Sequence, residues 1–152
     1  GADGTGARKG IDTLLTKPFK LSGGNTLTFE CKVYIGAAVA PYYYFGLMDI
    51  DDLSSNGFIF QANGTSPIRA MNMSAGTLTG TDTGLTWTIS AVYVFKIVAT
   101  ASQILFYVDG VLKATHTTNI PSGVAMGVCC YIRGTTTPSY IDYVKCTSSA
   151  RV

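Results

Sequence analysis

The sequence contains one glutamate, one histidine and one tryptophan, and only 13% of its residues are charged. That is about half the usual charged share. Together with 47% hydrophobic residues, this excludes an intrinsically disordered chain, which needs low hydrophobicity and high net charge. Long apolar runs are missing too. Gly, Thr and Asp interrupt each stretch well before the ~18 residues a membrane span requires, so no membrane partner is expected. The formal net charge is +2 and the Lys and Arg residues are scattered, which argues against a nucleic-acid partner. No window carries a sustained helical repeat, and no solenoid or propeller repeat is present. A GxSxG elbow, a phosphate-binding GxxxxGK[ST] loop and a dinucleotide fingerprint are all absent. The four cysteines, Cys31, Cys129, Cys130 and Cys146, match no zinc-ligand spacing. Adjacent Cys129 and Cys130 point to opposite faces of a strand. All four are read as free, mostly buried thiols that act as small hydrophobes, with a disulfide framework as the alternative.

What remains is a neutral surface of Thr, Ser, Asn and Gly around strands of period two. Such a surface suits a secreted protein or a subunit packed in a large assembly, because a free cytosolic monomer relies more on charge for solubility. A chain of 152 residues fits one domain. Residues 1–10, GADGTGARKG, lack an apolar pattern and read as an N-terminal arm or linker. An ordered arm of this kind is tied down by a neighbouring subunit or by a strand of the same sheet. Residues 11–152 form the domain.

In NTLTFECKVYI, Leu27, Phe29, Cys31, Val33 and Ile35 share one face, and Thr26, Thr28, Glu30, Lys32 and Tyr34 share the other. That is a half-buried strand. AVYVFKIVA is apolar on both faces and reads as a central strand. In SQILFYVDGVLKATH two apolar runs flank Asp109-Gly110, a pair that favours a two-residue type I′ turn, so Gln103–Val108 should pair with Val111–His116. YYYFGLMDI, GFIFQA, PIRAMNM, VAMGVCCYI and SYIDYVK are further strands, separated by Gly, Pro, Asn and Ser. SAGTLTGTDTGLTWTIS reads as a loop followed by a short strand around Trp87. The expected fold is all-β, a two-sheet antiparallel β-sandwich. Its expected core includes Leu27, Phe29, Val33, Phe95, Ile97, Leu105, Val144 and one face of the 124–132 strand.

The stretch YVFKIVATASQILFYVDGVLKATHTTNIPSG resembles the matching part of concanavalin A-like lectin/glucanase domains, the LamG-like jelly rolls. There a strand ends in an apolar-x-apolar run, followed by an FYVDG hairpin, a second strand, a T-x-x-I-P loop and a further strand. A closing strand like SYIDYVKC recurs, and TFECKVYI and YYYFGLMDID fit the same family. The resemblance covers residues 12–147 and implies a jelly roll. Variants with Thr-rich loops and few charges resemble modules of bacteriophage capsid decorations and tail appendages. The resemblance therefore implies a structural or adhesive module on a virion surface or in the extracellular space. Its partners would be other subunits, such as capsid or tail protein, or further copies of itself. The alternative is a free lectin-like domain binding a cell-surface glycan.

Some glucanases of this fold use a strand motif resembling E-x-D-x-E, whose two Glu residues serve as nucleophile and acid/base. Retaining hydrolysis needs two carboxyl groups about 5–5.5 Å apart. The nearest candidate is LMDIDD, with Asp49 and Asp51 two residues apart, but neither Glu is present. The only Glu, Glu30, sits between Thr28 and Lys32 on an alternating strand. The chain is accordingly expected not to be an enzyme. Asp49, Asp51 and Asp52 read first as a solvated acidic turn, so no cofactor is expected; calcium, which suits hard oxygen ligands, is the alternative. His116, in the returning arm of the hairpin, reads as a structural or exposed strand histidine. In the run Tyr42-Tyr43-Tyr44-Phe45 one alternating pair belongs to the core. The other lies on an outer face or under a loop, where Tyr offers apolar area with a polar handle. Tyr42, Tyr44 and Trp87 are the candidate ligand-binding residues.

Overall fold

The computed structural model describes residues 9–12, 16–36, 42–49, 55–63, 66–86, 88–133 and 139–149, with backbone alone for 9–12 and 131–133. Among these residues there are twelve strands and no helix. In chain order they are β1 (Lys9–Asp12), β2 (Phe19–Lys20), β3 (Thr26–Ile35), β4 (Tyr42–Met48), β5 (Gly57–Asn63) and β6 (Arg69–Ser74). They continue as β7 (Thr77–Asp82), β8 (Ala91–Ala99), β9 (Ile104–Val108), β10 (Val111–His116), β11 (Ala125–Arg133) and β12 (Tyr140–Ser149). One sheet of seven strands runs β1-β11-β4-β5-β6-β7, with β2 also pairing with β11. The other, of five strands, runs β10-β9-β8-β3-β12. Every pairing is antiparallel. Lys9 and Gly10 of the expected arm pair with Ile132 and Tyr131 on β11. Residues 1–8 lie outside the described residues.

The alternation in β3 sets the sandwich. Leu27, Phe29, Cys31, Val33 and Ile35 are buried, and the five residues between them are half-buried. On β8 the buried set is Tyr93, Phe95, Ile97 and Ala99, so Cys31 faces Phe95 and Phe29 faces Ile97 in register. From the seven-stranded sheet the core receives Tyr43, Phe45, Leu47, Phe58, Phe60, Ala62, Ala70, Met126, Val128 and Cys130. Aromatic rings join the two layers. Phe95 stacks on Phe45 at 5.1 Å between centroids and tilts against Phe60 at 5.0 Å, while Phe60 meets Phe106 edge-on at 5.3 Å. Such pairs contribute about 0.5–1.5 kcal/mol beyond the area they bury.

The hairpin turns where expected. Asp109 and Gly110 have φ of 50° and 79°, as a type I′ turn requires, and Val108 pairs with Val111. The Asp109 carboxylate also accepts the Val94 N–H at 2.8 Å, anchoring the turn to β8.

Three expectations are corrected. Leu105 is half-buried on the outer face of β9, and Ile104, Phe106 and Val108 fill the core instead. The run ILFYV is apolar on both faces, so composition gives its period without its phase. Val144 is half-buried because β12 is an edge strand, packed on one side only. Thr77–Asp82, expected to be loop, is strand β7. It reads as loop because an edge strand exposed on both faces needs no apolar alternation. The four cysteines are free, with Cys31, Cys129 and Cys130 buried and Cys146 half-buried.

Candidate functional site

Strand alternation sends Tyr43 and Phe45 into the core and Tyr42 and Tyr44 to the outer face of the seven-stranded sheet. Tyr42 is 41% exposed and Tyr44 is half-buried. The register builds a row from Tyr44. It pairs with Gln61 on β5, Gln61 with Arg69 on β6, and Arg69 with Asp82 on β7. Tyr42 and Asn63 pair one step along. The Gln61 Nε2 donates to the Tyr44 hydroxyl at 3.2 Å. The Arg69 side chain lies over Gly80, where a Cβ would stand 2.8 Å from its Nη2. Gly80 thus leaves room for the guanidinium to extend across β7.

Met48, Ile59, Met71, Met73 and Cys129 form a buried cluster against which Tyr44 packs. The polar and aromatic side chains of Tyr42, Tyr44, Gln61, Asn63 and Arg69 share one end of this face, exposed or half-buried. Nothing in the local sequence announces Gln61, Asn63 and Arg69. The only available signal is that polar Gln61 and Asn63 alternate on a strand whose other residues are mostly apolar.

The acidic cluster is divided. Asp49 carries a structural load: its carboxylate accepts the Asn56 backbone N–H at 3.0 Å, the Asn56 Nδ2 at 2.8 Å and the Ser55 hydroxyl. These donors tie Asp49 at the end of β4 to the residues that lead into β5. Asp51 and Asp52 lie outside the described residues, as does Trp87. Among the described residues no three of His, Cys, Asp or Glu gather as metal ligands.

Glu30 belongs to a different surface. On the outer face of the five-stranded sheet it stands between Lys96 and Lys145 in register and accepts the Tyr143 hydroxyl at 2.7 Å. That hydrogen bond to Glu30 is the main cause holding the Tyr143 phenol up at about 12. Beside it Lys32 pairs with Asp142 at 2.8 Å.

His116 is buried in a polar network at the side of the sandwich. Its Nδ1 lies 2.5 Å from Asn72 Oδ1 and its Nε2 2.9 Å from Thr81 Oγ1. Asn72 Nδ2 donates to the Thr118 and Asn119 carbonyls at 2.8 and 2.7 Å. The Asn72 amide is thereby oriented with Oδ1 as acceptor, so His116 donates from Nδ1. In the neutral ring Nε2 then accepts from the Thr81 hydroxyl. Burial lowers the His116 pKa and favours this neutral form.

No protein-family model matches the sequence, and no curated protein matches it. Solved structures do. Alginate lyase AlyC3 superposes with a TM-score of 0.64 at 10% identity, over 86% of this chain and 67% of the lyase. A glycoside hydrolase family protein from Mycobacterium thermorestibile gives 0.62 at 16% identity, over 86% of this chain and 65% of the hydrolase. Sheep galectin-11 gives 0.57 at 6% identity, over 96% of this chain and all of the galectin. The chain thus spans about two thirds of the length of these two enzymes.

The fold is a concanavalin A-like jelly roll, and its neighbours are carbohydrate-active proteins. The expectation that the chain is not an enzyme is corrected by these neighbours, among which polysaccharide lyases and hydrolases are prominent. That expectation rested on one missing Glu pair. The pair belongs to one hydrolytic mechanism, and elimination by a lyase is a different reaction class. The neighbours lend no support to a virion role.

Proposed function

We propose that this chain is a carbohydrate-active domain that holds a polysaccharide across the Tyr44–Gln61–Arg69 row of the seven-stranded sheet. The carrying observation is the register itself. It brings an aromatic ring, an amide and a guanidinium from three neighbouring strands into one line, with exposed Tyr42 and Asn63 beside them. Tyrosine faces stack on sugar rings, and amides and guanidinium groups bond to hydroxyl and carboxylate oxygens. Arg69 favours an anionic sugar, because its fork matches a carboxylate in a bidentate way. An uronate polymer such as alginate is the substrate class that fits the row and agrees with the alginate lyases among the neighbours.

The test is calorimetric titration of the chain with alginate and with a neutral β-glucan, assaying the alginate samples for release of unsaturated uronate ends. Alginate should bind and β-glucan should bind more weakly. Arg69→Ala should cost about 1.5–3 kcal/mol of alginate binding, as expected for a hydrogen bond to a charged group. Gly80→Ala, which pushes the guanidinium off its seat without removing its charge, should give a smaller loss. If neither polymer binds, or if Arg69→Ala and Tyr42→Ala bind like the parent chain, the proposal fails.

A further inference from the structure

We propose a second site on the opposite face of the same sheet: Thr81 is a nucleophile for acyl esters, with His116 as its general base and Asn72 as the positioning residue. The Thr81 hydroxyl lies 2.9 Å from His116 Nε2, and His116 Nδ1 lies 2.5 Å from Asn72 Oδ1. Nucleophile, base and orienting group within successive hydrogen bonds are the arrangement that activates a hydroxyl. The exposures fit the roles. Thr81 is exposed at the free edge strand β7, where an ester can reach it, while His116 is 4% exposed behind it. The tautomer fits as well. Two carbonyls hold the Asn72 amide, which fixes the His116 proton on Nδ1 and leaves Nε2 free to take the threonine proton.

The ladder supplies a candidate for the oxyanion donor. Thr83 N–H bonds to the Ile68 carbonyl across to β6. Alternation then turns the N–H groups of Leu78, Gly80 and Asp82 away from β6, toward the free edge. The Asp82 N–H directly follows the nucleophile along the chain. The Asp82 carboxylate accepts the Gly84 N–H at 2.8 Å, within its own turn.

In the first step Thr81 Oγ forms a bond to the acyl carbon and its proton passes to His116 Nε2. The intermediate collapses, the ester C–O bond breaks, and the leaving alcohol takes that proton. Water then attacks the acyl-threonine with His116 again as base. The carboxylic acid leaves, Thr81 is restored, and the sum is ester plus water to acid plus alcohol. Among the described residues, the groups that contact the imidazole are the Thr81 hydroxyl from β7, the Asn72 amide from β6 and the Phe106 ring from β9, whose centroid is 5.0 Å away. None of them carries charge, so the rate should follow His116 alone.

The full chain is mixed with p-nitrophenyl acetate, quenched in acid and mapped by peptide mass spectrometry. One acetyl group should appear on the peptide containing Thr81. Thr81→Val, isosteric and on an exposed edge, should fold and lose the adduct, while Thr81→Ser should keep it. His116→Gln should slow acylation by about 10²–10⁴-fold. Asn72→Asp gives up the two Nδ2 bonds but keeps an acceptor on Nδ1 and adds a negative charge, so it should raise the midpoint of the pH–rate profile; an unchanged midpoint would show that the rate does not follow the imidazole beside residue 72 and would overturn the proposal. Acetylation on lysines alone, no adduct, or equal reaction of the Thr81→Val chain would overturn the proposal. The row that carries Arg69 lies on the other face, so alginate binding is read separately and either site can fail without the other.

Discussion

At the scale of single residues, His116 departs most from its sequence reading as a lone strand histidine. Its partners Asn72 and Thr81 are 44 and 35 positions away, on strands of the other sheet. No spacing rule joins them, because the meeting is made by the edges of two layers. The histidine also ties stability to pH. Its folded pKa lies below the unfolded value of about 6.5, so between the two the unfolded chain binds more protons. Stability is therefore full above about pH 6.5 and falls as the pH drops through that range toward the folded pKa. His116→Gln should cost about 1–3 kcal/mol at neutral pH, the penalty of leaving Asn72 and Thr81 poorly matched. Its deficit relative to the parent should shrink in acid. Urea unfolding of both chains near neutrality and near pH 5 measures this, and a constant deficit would contradict the assignment.

At the scale of elements, β7 exists because of a turn the sequence disguises. Ala75 and Gly76 join β6 to β7 with φ of 48° and 79°, both left-handed. Gly tolerates this; alanine does so at a cost of about 1–2 kcal/mol. The Asn56 side chain accepts the Ala75 N–H at 2.8 Å and the Ser55 carbonyl accepts the Gly76 N–H at 3.2 Å, which holds the turn in place. Asparagine is at ease in this conformation, so Ala75→Asn should stabilise the chain by about 0.5–1 kcal/mol, read as a higher melting temperature. A lower one would mean the turn is held in a shape Asn cannot take. The contrast with Asp109-Gly110 explains what was legible. There the turn residues carry the signal and the hairpin is read directly; at Ala75-Gly76 they do not, and β7 is read as loop. In β3 one polar and one apolar face fix phase as well as period. ILFYV gives period only, and Leu105 is misplaced by one step. The Tyr42 and Tyr44 face is legible from alternation, whereas Gln61 and Arg69 join it through pairing between strands far apart in sequence.

At the scale of the whole molecule, the two layers are held by burial rather than by covalent links, since the four cysteines are free. The same jelly roll serves lyases, hydrolases and a galectin, so the fold leaves function to what the sheet faces carry. Here both proposed sites use the seven-stranded sheet, one on each face, and both depend on its seating against the other layer. Phe95 is central to that seating. It is fully buried on β8 and touches Phe45 and Phe60, which lie on the same two strands that carry Tyr44 and Gln61. Phe95→Ala removes the ring contacts to Phe45, Phe60 and Tyr93 and leaves a cavity, at a cost of about 3–5 kcal/mol. Natural domains hold only about 5–15 kcal/mol in total, so the variant should sit near the edge of folding. Its urea midpoint should fall with the slope nearly unchanged, because the surface exposed on unfolding is almost the same. Alginate binding and acylation of Thr81 should then be lost together over that one transition, as urea is raised, whereas Arg69→Ala and Thr81→Val each remove one activity from a folded chain. Separate transitions for the two activities in the Phe95→Ala chain would show that the layers do not unfold as a unit.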